Sequence, residues 1–205
     1  MTRIILVRHG QTEWNREERF RGRVDIDLDE TGVRQAEAAA EKIARWDVAA
    51  IYSSPLKRAM ATAQIIASRL GLPVEPLDGI NDMDFGIWQG LYIEEARGRY
   101  RELFDVWLYS PQRLKIPEGE TLEDVQRRAV ATIDDLVARH QDETVALVTH
   151  RVVCKVLLCH LLGLDNSHFW QIGQDNAAIN LFELWEGWSS LRLLNDTCHL
   201  RNLKA

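Results

Sequence analysis

The sequence predicts an α/β fold: a three-layer sandwich with a mostly parallel central sheet and helices on both faces. Two short runs, Ile4 to Val7 and Val145 to Val148, are continuously apolar and rich in β-branched residues, the pattern of strands buried on both faces of a parallel sheet. Segments with helical spacing alternate with such runs, which is the order of crossover connections. The chain has 205 residues, 46% of them hydrophobic, enough for one domain with a full core and no covalent staples. Residues 1–205 are therefore read as a single domain, with 80–120 as a cap or lid subregion.

After the first strand, Arg8-His9-Gly10 leads into a polar loop, and Glu30 to Trp46 is an Ala-, Glu- and Arg-rich helix. Ala49 to Tyr52 is a second strand. Behind it, Ser54 is placed as an N-cap with Pro55 at the first helical position, where a missing N–H costs nothing. That helix runs to Leu70 and stops at Gly71 and Pro73; Val74 to Leu77 is a third strand. Asn81 to Gly90 reads as loop, Leu91 to Leu108 as one helix, and Ser110 to Gly119 as a linker. Thr121 to Asp124 resembles a capping box opening a helix that ends near His140. His150 follows the second apolar run and precedes a helix to Leu162. Ile179 to Leu184 and Leu191 to Leu194 are terminal strands around a turn at Glu186-Gly187-Trp188.

Lys and Arg number 25 against 31 Asp and Glu, a net charge of −6, with the two signs interspersed. That lacks the basic footprint of a nucleic-acid binder. The N-terminal apolar run is too short for a signal sequence or membrane span, and the three cysteines, Cys154, Cys159 and Cys198, show no disulfide or metal spacing. The expectation is a cytoplasmic protein with reduced thiols and no membrane or nucleic-acid partner.

In open α/β sheets, ligands bind outside the carboxyl ends of the strands. Both apolar runs end alike, in Val7-Arg8-His9 and Val148-Thr149-His150, so adjacent strands would bring two imidazoles into one crevice. Arg8 makes little sense in a core and good sense beside an anion. Arg58, in the first turn of the helix after the second strand, adds a cation near a helix N-terminus. Together these describe a phosphate pocket. H-E-x-x-H and Asp-rich metal loops are absent from the sequence, so no metal or other cofactor is expected and charge neutralisation falls to Arg8 and Arg58.

The segment Leu6 to Asn15, with Arg8-His9-Gly10 at its centre, resembles the signature of the histidine phosphatase superfamily, which includes the cofactor-dependent phosphoglycerate mutases. The resemblance continues through Asp27 to Gly32, Tyr52 to Ala59, Phe85 to Gly90 and Val148 to His150, covering nearly the whole chain in order. It implies a phosphoglycerate mutase-like fold and a phosphomonoester hydrolase, with His9 as the nucleophile that becomes phosphohistidine. It further implies that Arg8, Arg58 and His150 hold the phosphate oxygens with Asn15 as another donor, and that a backbone carbonyl near Gly10 keeps His9 in its attacking tautomer.

Departures from the family pattern bear on the rest. Where relatives carry Glu as general acid, this chain has Asp82, one methylene shorter, with Asp84 as the alternative. Arg151 stands where Gly is common. Arg21 and Gly22 occupy a loop that contacts substrate in relatives, so Arg21 and Arg151, if both face the crevice, favour a second anionic group on the substrate. Gln89 replaces a common Glu and has no evident role from sequence. The short lid region, Leu108 to Glu120, favours hydrolysis over a mutase reaction; a phosphoglycerate mutase and an inactive phosphate-ester binder are the alternatives. Phe169-Trp170, Asp175 to Ala177 and Asn195 to Leu200 look like the metal-independent phosphoserine phosphatases, which implies a homodimer through a sheet edge. Those enzymes carry His in place of Phe85, so phosphosugars and phosphoglycerate-type metabolites remain open alongside phosphoserine. Trp170, Trp185 and Trp188 read as core and edge packing rather than a ligand cage.

Overall fold

The computed structural model describes residues 1–203. In chain order the regular elements are β1 (Thr2–Arg8), α1 (Glu13–Arg16), α2 (Glu30–Ile43), β2 (Ala50–Ser53), α3 (Lys57–Leu70), β3 (Val74–Pro76), α4 (Ile93–Arg99), α5 (Arg101–Tyr109), α6 (Leu122–Arg139), β4 (Thr144–Thr149), α7 (Arg151–Leu161), β5 (Ile179–Trp185) and β6 (Trp188–Asp196). They build one six-stranded sheet in the order β3-β2-β4-β1-β5-β6. The first four strands in that order run parallel; β5 and β6 add an antiparallel hairpin at one side.

Alternation along β1 divides the core. Ile5 and Val7 pack with Ala39, Ala40 and Ile43 of α2 and Ala63 and Ile66 of α3. Ile4 and Leu6 face the other way, onto Val125, Ala129 and Ile133 of α6 and Val153 and Leu157 of α7. These are the three layers expected from the apolar runs. Small alanines on α2 and α3 let those helices approach the sheet and each other closely. The 80–120 region does not float above the body: Ile80, Met83, Trp88, Phe104, Leu114 and Ile116 are buried in the same cluster as α6 and α7.

Local differences from the sequence reading have physical causes. α3 starts at Lys57, with Leu56 still extended, so Ser54 is not its N-cap and Pro55 lies outside the helix. The Ser54 N–H instead continues the sheet ladder to the Val148 carbonyl at 2.9 Å, and its hydroxyl is used elsewhere, as described below. The single helix expected over Leu91 to Leu108 is two, broken at Tyr100 (φ −127°, ψ 48°), just past Gly98. The 110–119 linker holds a 3-10 turn, Pro111–Arg113. The Thr121 capping box is present: Thr121 Oγ1 accepts the Asp124 N–H at 3.1 Å while Asp124 Oδ2 accepts the Thr121 N–H at 3.1 Å. The stack of Trp185 on Trp188, with centroids 3.9 Å apart, bears out packing at the hairpin end.

Candidate active site

β1 and β4 are neighbours, with Val7 beside Val148 and Arg8 beside Thr149, so both strand-end histidines emerge at one place. The His9 N–H extends the ladder to the Thr149 carbonyl at 2.9 Å, and the two imidazole centroids stand 5.2 Å apart. Both rings are buried. His9 Nδ1 lies 2.6 Å from the Gly10 carbonyl. A carbonyl only accepts, so Nδ1 carries the proton and Nε2 keeps its lone pair. Burial, then Arg58, Arg8 and Arg21, holds the His9 pKa well below 6.5, and the ring is neutral. The turn after His9 requires glycine on steric grounds: a Cβ on Gly10 would stand 2.4 Å from the Gly32 carbonyl at the start of α2.

Arg58 is wholly buried. Its Nη2 donates to the Gly22 carbonyl at 2.6 Å and to Asp82 Oδ2 at 2.9 Å, and its Nη1 to the Val24 carbonyl at 2.8 Å. Arg8 Nη1 donates to the Gln174 carbonyl at 2.6 Å. Burial, with repulsion from Arg21 and Arg151, lowers the Arg8 pKa to about 9. The Nε groups of Arg8, Arg21 and Arg58 and the Nδ1 of His150 are buried without a hydrogen-bond partner. His150 Nε2 sits 2.7 Å from Ser54 Oγ, and its Nδ1 is 3.5 Å from Asp82 Oδ2. Burial first, then Arg58, keeps His150 neutral as well. The hydroxyl assigned by sequence to a helix cap therefore orients an imidazole.

A cleft of about 560 Å³ is lined by Arg8, Asn15, Arg21, Gly22, Asp82 and Arg151, whereas His9, Arg58 and His150 are buried and do not themselves line it. Arg21 and Arg151 thus both face the crevice. Asn15 Oδ1 accepts the Thr12 N–H at 3.0 Å and the Asn176 amide at 3.3 Å, which leaves its own amide N–H groups for the cleft. Asp84 Oδ1 accepts the Gly86 N–H at 2.8 Å, pointing that carboxylate into its own turn. Gly22 adopts φ +51°, and Gln89 Oε1 accepts the Arg23 N–H at 2.6 Å, so Gln89 pins the loop whose carbonyls grip Arg58. Trp170 lines the cleft, which corrects the packing-only reading; Phe85, Phe104 and Trp107 join it on the same wall.

Several residues that shape the site went unread in the sequence. Arg128 of α6 donates to the carbonyls of Gly79 (2.9 Å), Asn81 (2.7 Å) and Asp82 (3.0 Å). Thr149 Oγ1 donates to the Ile80 carbonyl at 2.6 Å. Asn176 Nδ2 donates to the His9 and Gly10 carbonyls, each at 3.3 Å. Among the described residues, no group of three or more His, Cys, Asp or Glu is arranged to hold a metal ion.

The pattern of the histidine phosphatase superfamily (branch 1) matches residues 4–197. Phosphoserine phosphatase 1 of Hydrogenobacter thermophilus is 39% identical over 200 residues, spanning 98% of this chain and 95% of that protein. Among solved structures, Bacillus stearothermophilus YhfR superposes with a TM-score of 0.94 at 30% identity, covering 98% of this chain and all (100%) of the other. Phosphoserine phosphatase of Entamoeba histolytica, solved with 3-phosphoglyceric acid, gives 0.87 at 30% identity over 98% of this chain and 100% of its own. The architecture implied by the sequence resemblance is the one observed. With its strand-end histidine pair, its buried guanidinium groups and a match running nearly end to end, the chain belongs to the histidine phosphatase superfamily.

Proposed function

We propose that this protein is a metal-independent phosphomonoester hydrolase that passes the phosphoryl group through His9 and releases inorganic phosphate from a small metabolite. The observation that carries the reading is the presence of buried, unpartnered Nε–H groups of Arg8, Arg21 and Arg58, together with the unpartnered Nδ1 of His150, next to a neutral His9. Crowded cations without counter-charge are costly, and a phosphate dianion relieves that cost while being oriented for in-line attack.

In the first half-reaction His9 Nε2 attacks phosphorus and the ester P–O bond breaks. Asp82, in its protonated form, gives its proton to the leaving alkoxide. Arg8, Arg58, His150 and Asn15 hold the non-bridging oxygens as charge builds on them. In the second, Asp82 as carboxylate takes a proton from water, the hydroxide oxygen bonds to phosphorus, and the P–N bond breaks to restore His9. Arg21 and Arg151 receive a second anionic group of the substrate, with Gly22 beside them. Phosphoserine and phosphoglycerate-type metabolites meet that requirement, and a phosphosugar meets it when it bears a further acidic group.

Three free cysteines support a reducing, cytoplasmic setting. No helix among the described residues is long and apolar enough to cross a membrane. The edge strand β6, with Trp188 and Leu194 exposed, supports pairing of two copies along the sheet edge. The decisive experiment is rapid alkaline quench during turnover of p-nitrophenyl phosphate, followed by mass spectrometry: a phosphoryl group on His9 is expected, with turnover unchanged by chelator. An unmodified His9 throughout the steady state, or an active His9→Ala, would overturn the mechanism.

A further inference from the structure

Besides Arg8, Arg21 and Asp82, the cleft is lined by aromatic side chains: Phe85, Phe104, Trp107, Phe169 and Trp170. Trp107 and Trp170 meet edge to face with centroids 4.9 Å apart, and Phe85 meets Trp107 the same way at 5.9 Å. The one polar atom of Trp170 is already spent, because Nε1 donates to the Trp107 carbonyl at 2.6 Å. This bond also ties α5 to the segment after α7, so the wall is preformed rather than assembled on closure. The cavity of about 560 Å³ is several times what a phosphoryl group and a three-carbon body fill.

Charge around that wall is one-sided. Lys155 of α7 is buried, with Nζ 4.4 Å from the Trp170 centroid and 4.6 Å from that of Phe169. Arg151, one turn earlier, places its guanidinium carbon 5.5 Å from the Trp170 centroid. The negative ring faces that would welcome an ammonium group are thus already engaged by two cations of the protein. Five arginines line the cleft (Arg8, Arg16, Arg19, Arg21, Arg151). Against them stand Glu17, 2.6 Å from Arg19, Glu13, 4.0 Å from Arg16, Glu18, exposed at the rim, Asp82, paired with Arg58, and Asp175, which accepts from Asn195 at 3.0 Å, so Arg8, Arg21 and Arg151 are the uncompensated cations. An amino-acid phosphate would bring its ammonium into this field, whereas a flat anionic body meets the cleft surface of Phe85, Phe104 and Trp107 together with Arg151.

We infer that the aromatic wall of the cleft is a subsite for a planar apolar body bearing its own anionic group, so that the preferred substrates are phosphomonoesters of aromatic carboxylate-type alcohols rather than of an amino acid. The inference rests on the phosphatase reading for the phosphate grip. It is separable from that reading because the subsite is probed by binding.

The test uses non-hydrolysable phosphonates as competitive inhibitors of p-nitrophenyl phosphate hydrolysis, with calorimetry as the direct readout. 4-Carboxybenzylphosphonate is expected to bind at least tenfold more tightly than 2-amino-4-phosphonobutyrate, with benzylphosphonate between them and ethylphosphonate weaker than benzylphosphonate. Arg151→Gln, on an exposed helix start, should bring the carboxybenzyl compound down to the benzyl one and leave the benzyl compound within about twofold. Lys155→Met, which removes the cation behind the rings, should improve binding of the amino compound severalfold. Tighter binding of the amino compound to the unmodified protein, or equal binding of benzyl- and ethylphosphonate, would overturn the subsite. If hydrolysis were absent while the calorimetric order held, the phosphatase reading would fail and the subsite would stand.

Discussion

Replacing Lys155 with Met should stabilise the protein, and the gain should depend on pH in a window that belongs to this one residue. Burial, with repulsion from Arg151 and Arg8 against a weaker pull from Cys159, lowers the Lys155 pKa from 10.5 to about 7. A lysine whose pKa is lower in the folded state binds fewer protons there than in the unfolded chain between those two values. Stability therefore rises with pH across that window and carries the full penalty below it. At about 1.4 kcal/mol per pH unit the penalty approaches roughly 5 kcal/mol. The contacts with Phe169 and Trp170 favour the charged form, so that figure is an upper bound and the gain expected from removing the ammonium is on the order of 2 kcal/mol. Met keeps the length of the side chain and packs well against aromatic edges. Urea titrations from pH 5 to pH 10 should show Lys155→Met more stable by about 2 kcal/mol at neutral pH and below, with the rise above pH 7 flattened. A destabilisation of more than about 1 kcal/mol, with the slope above pH 7 intact, would mean that the ammonium is compensated in a way the geometry does not reveal.

Other perturbations address the chemistry directly. His9 and His150 are both held neutral by burial and by Arg58, with pKa values well below 6.5, so the unfolded chain takes up protons first as pH falls. Stability should accordingly drop on acidification through and below about pH 6.5 in the wild type and in Lys155→Met alike, while His9→Phe removes part of that slope. Asp82→Asn should lose about 10²–10⁴-fold in kcat on alkyl phosphates and far less on p-nitrophenyl phosphate, whose leaving group needs no proton. A larger loss from Asp84→Asn would transfer the acid role to Asp84. Arg128→Leu strips the carbonyls of Gly79, Asn81 and Asp82 and the Glu120 carboxylate of their donor, at a cost of about 3 kcal/mol. Being a positioning change, it should lower kcat on alkyl phosphates more than it raises KM; equal kcat on alkyl and aryl esters would deny the positioning role.

How much of this was legible beforehand follows from the range of the interactions involved. His9, His150 and Arg8 stand at the ends of uninterrupted apolar runs, and the rule that parallel strands deliver ligand groups at their carboxyl ends is local enough to read from the chain. Ser54 was misread because Ser-Pro before a helical pattern is a strong local cap signal, whereas its actual partner, His150, is distant in sequence and becomes a neighbour only through the β2–β4 pairing. The break at Tyr100 was hidden because apolar spacing continues through it; Gly98 weakens the helix there, and the packing of Phe104 and Trp107 onto Phe85 and Trp88 sets the direction of α5. Trp107 and Trp170 were invisible as cleft residues for a related reason. An aromatic in a helical stripe looks the same whether its remaining surface meets protein or a cavity.

If Asp82 is the acid, as proposed, the fold absorbs a one-methylene shortening. A shorter acid delivers its carboxyl to the same point only if its backbone is held at a fixed place, and here the four consecutive carbonyls from Gly79 to Asp82 are each gripped by a side chain: three by Arg128 and the Ile80 carbonyl by Thr149. The Asp82 carboxylate is then fixed a second time, accepting from the Met83 N–H at 2.9 Å through one oxygen and from Arg58 through the other. Thr149 lies on β4 beside Arg8, so the same strand pair that places His9 also sets the height of the loop that carries Asp82. The distance from Asp82 to the imidazoles is therefore written into the sheet register and into one guanidinium on α6, not into the loop residues around Asp82.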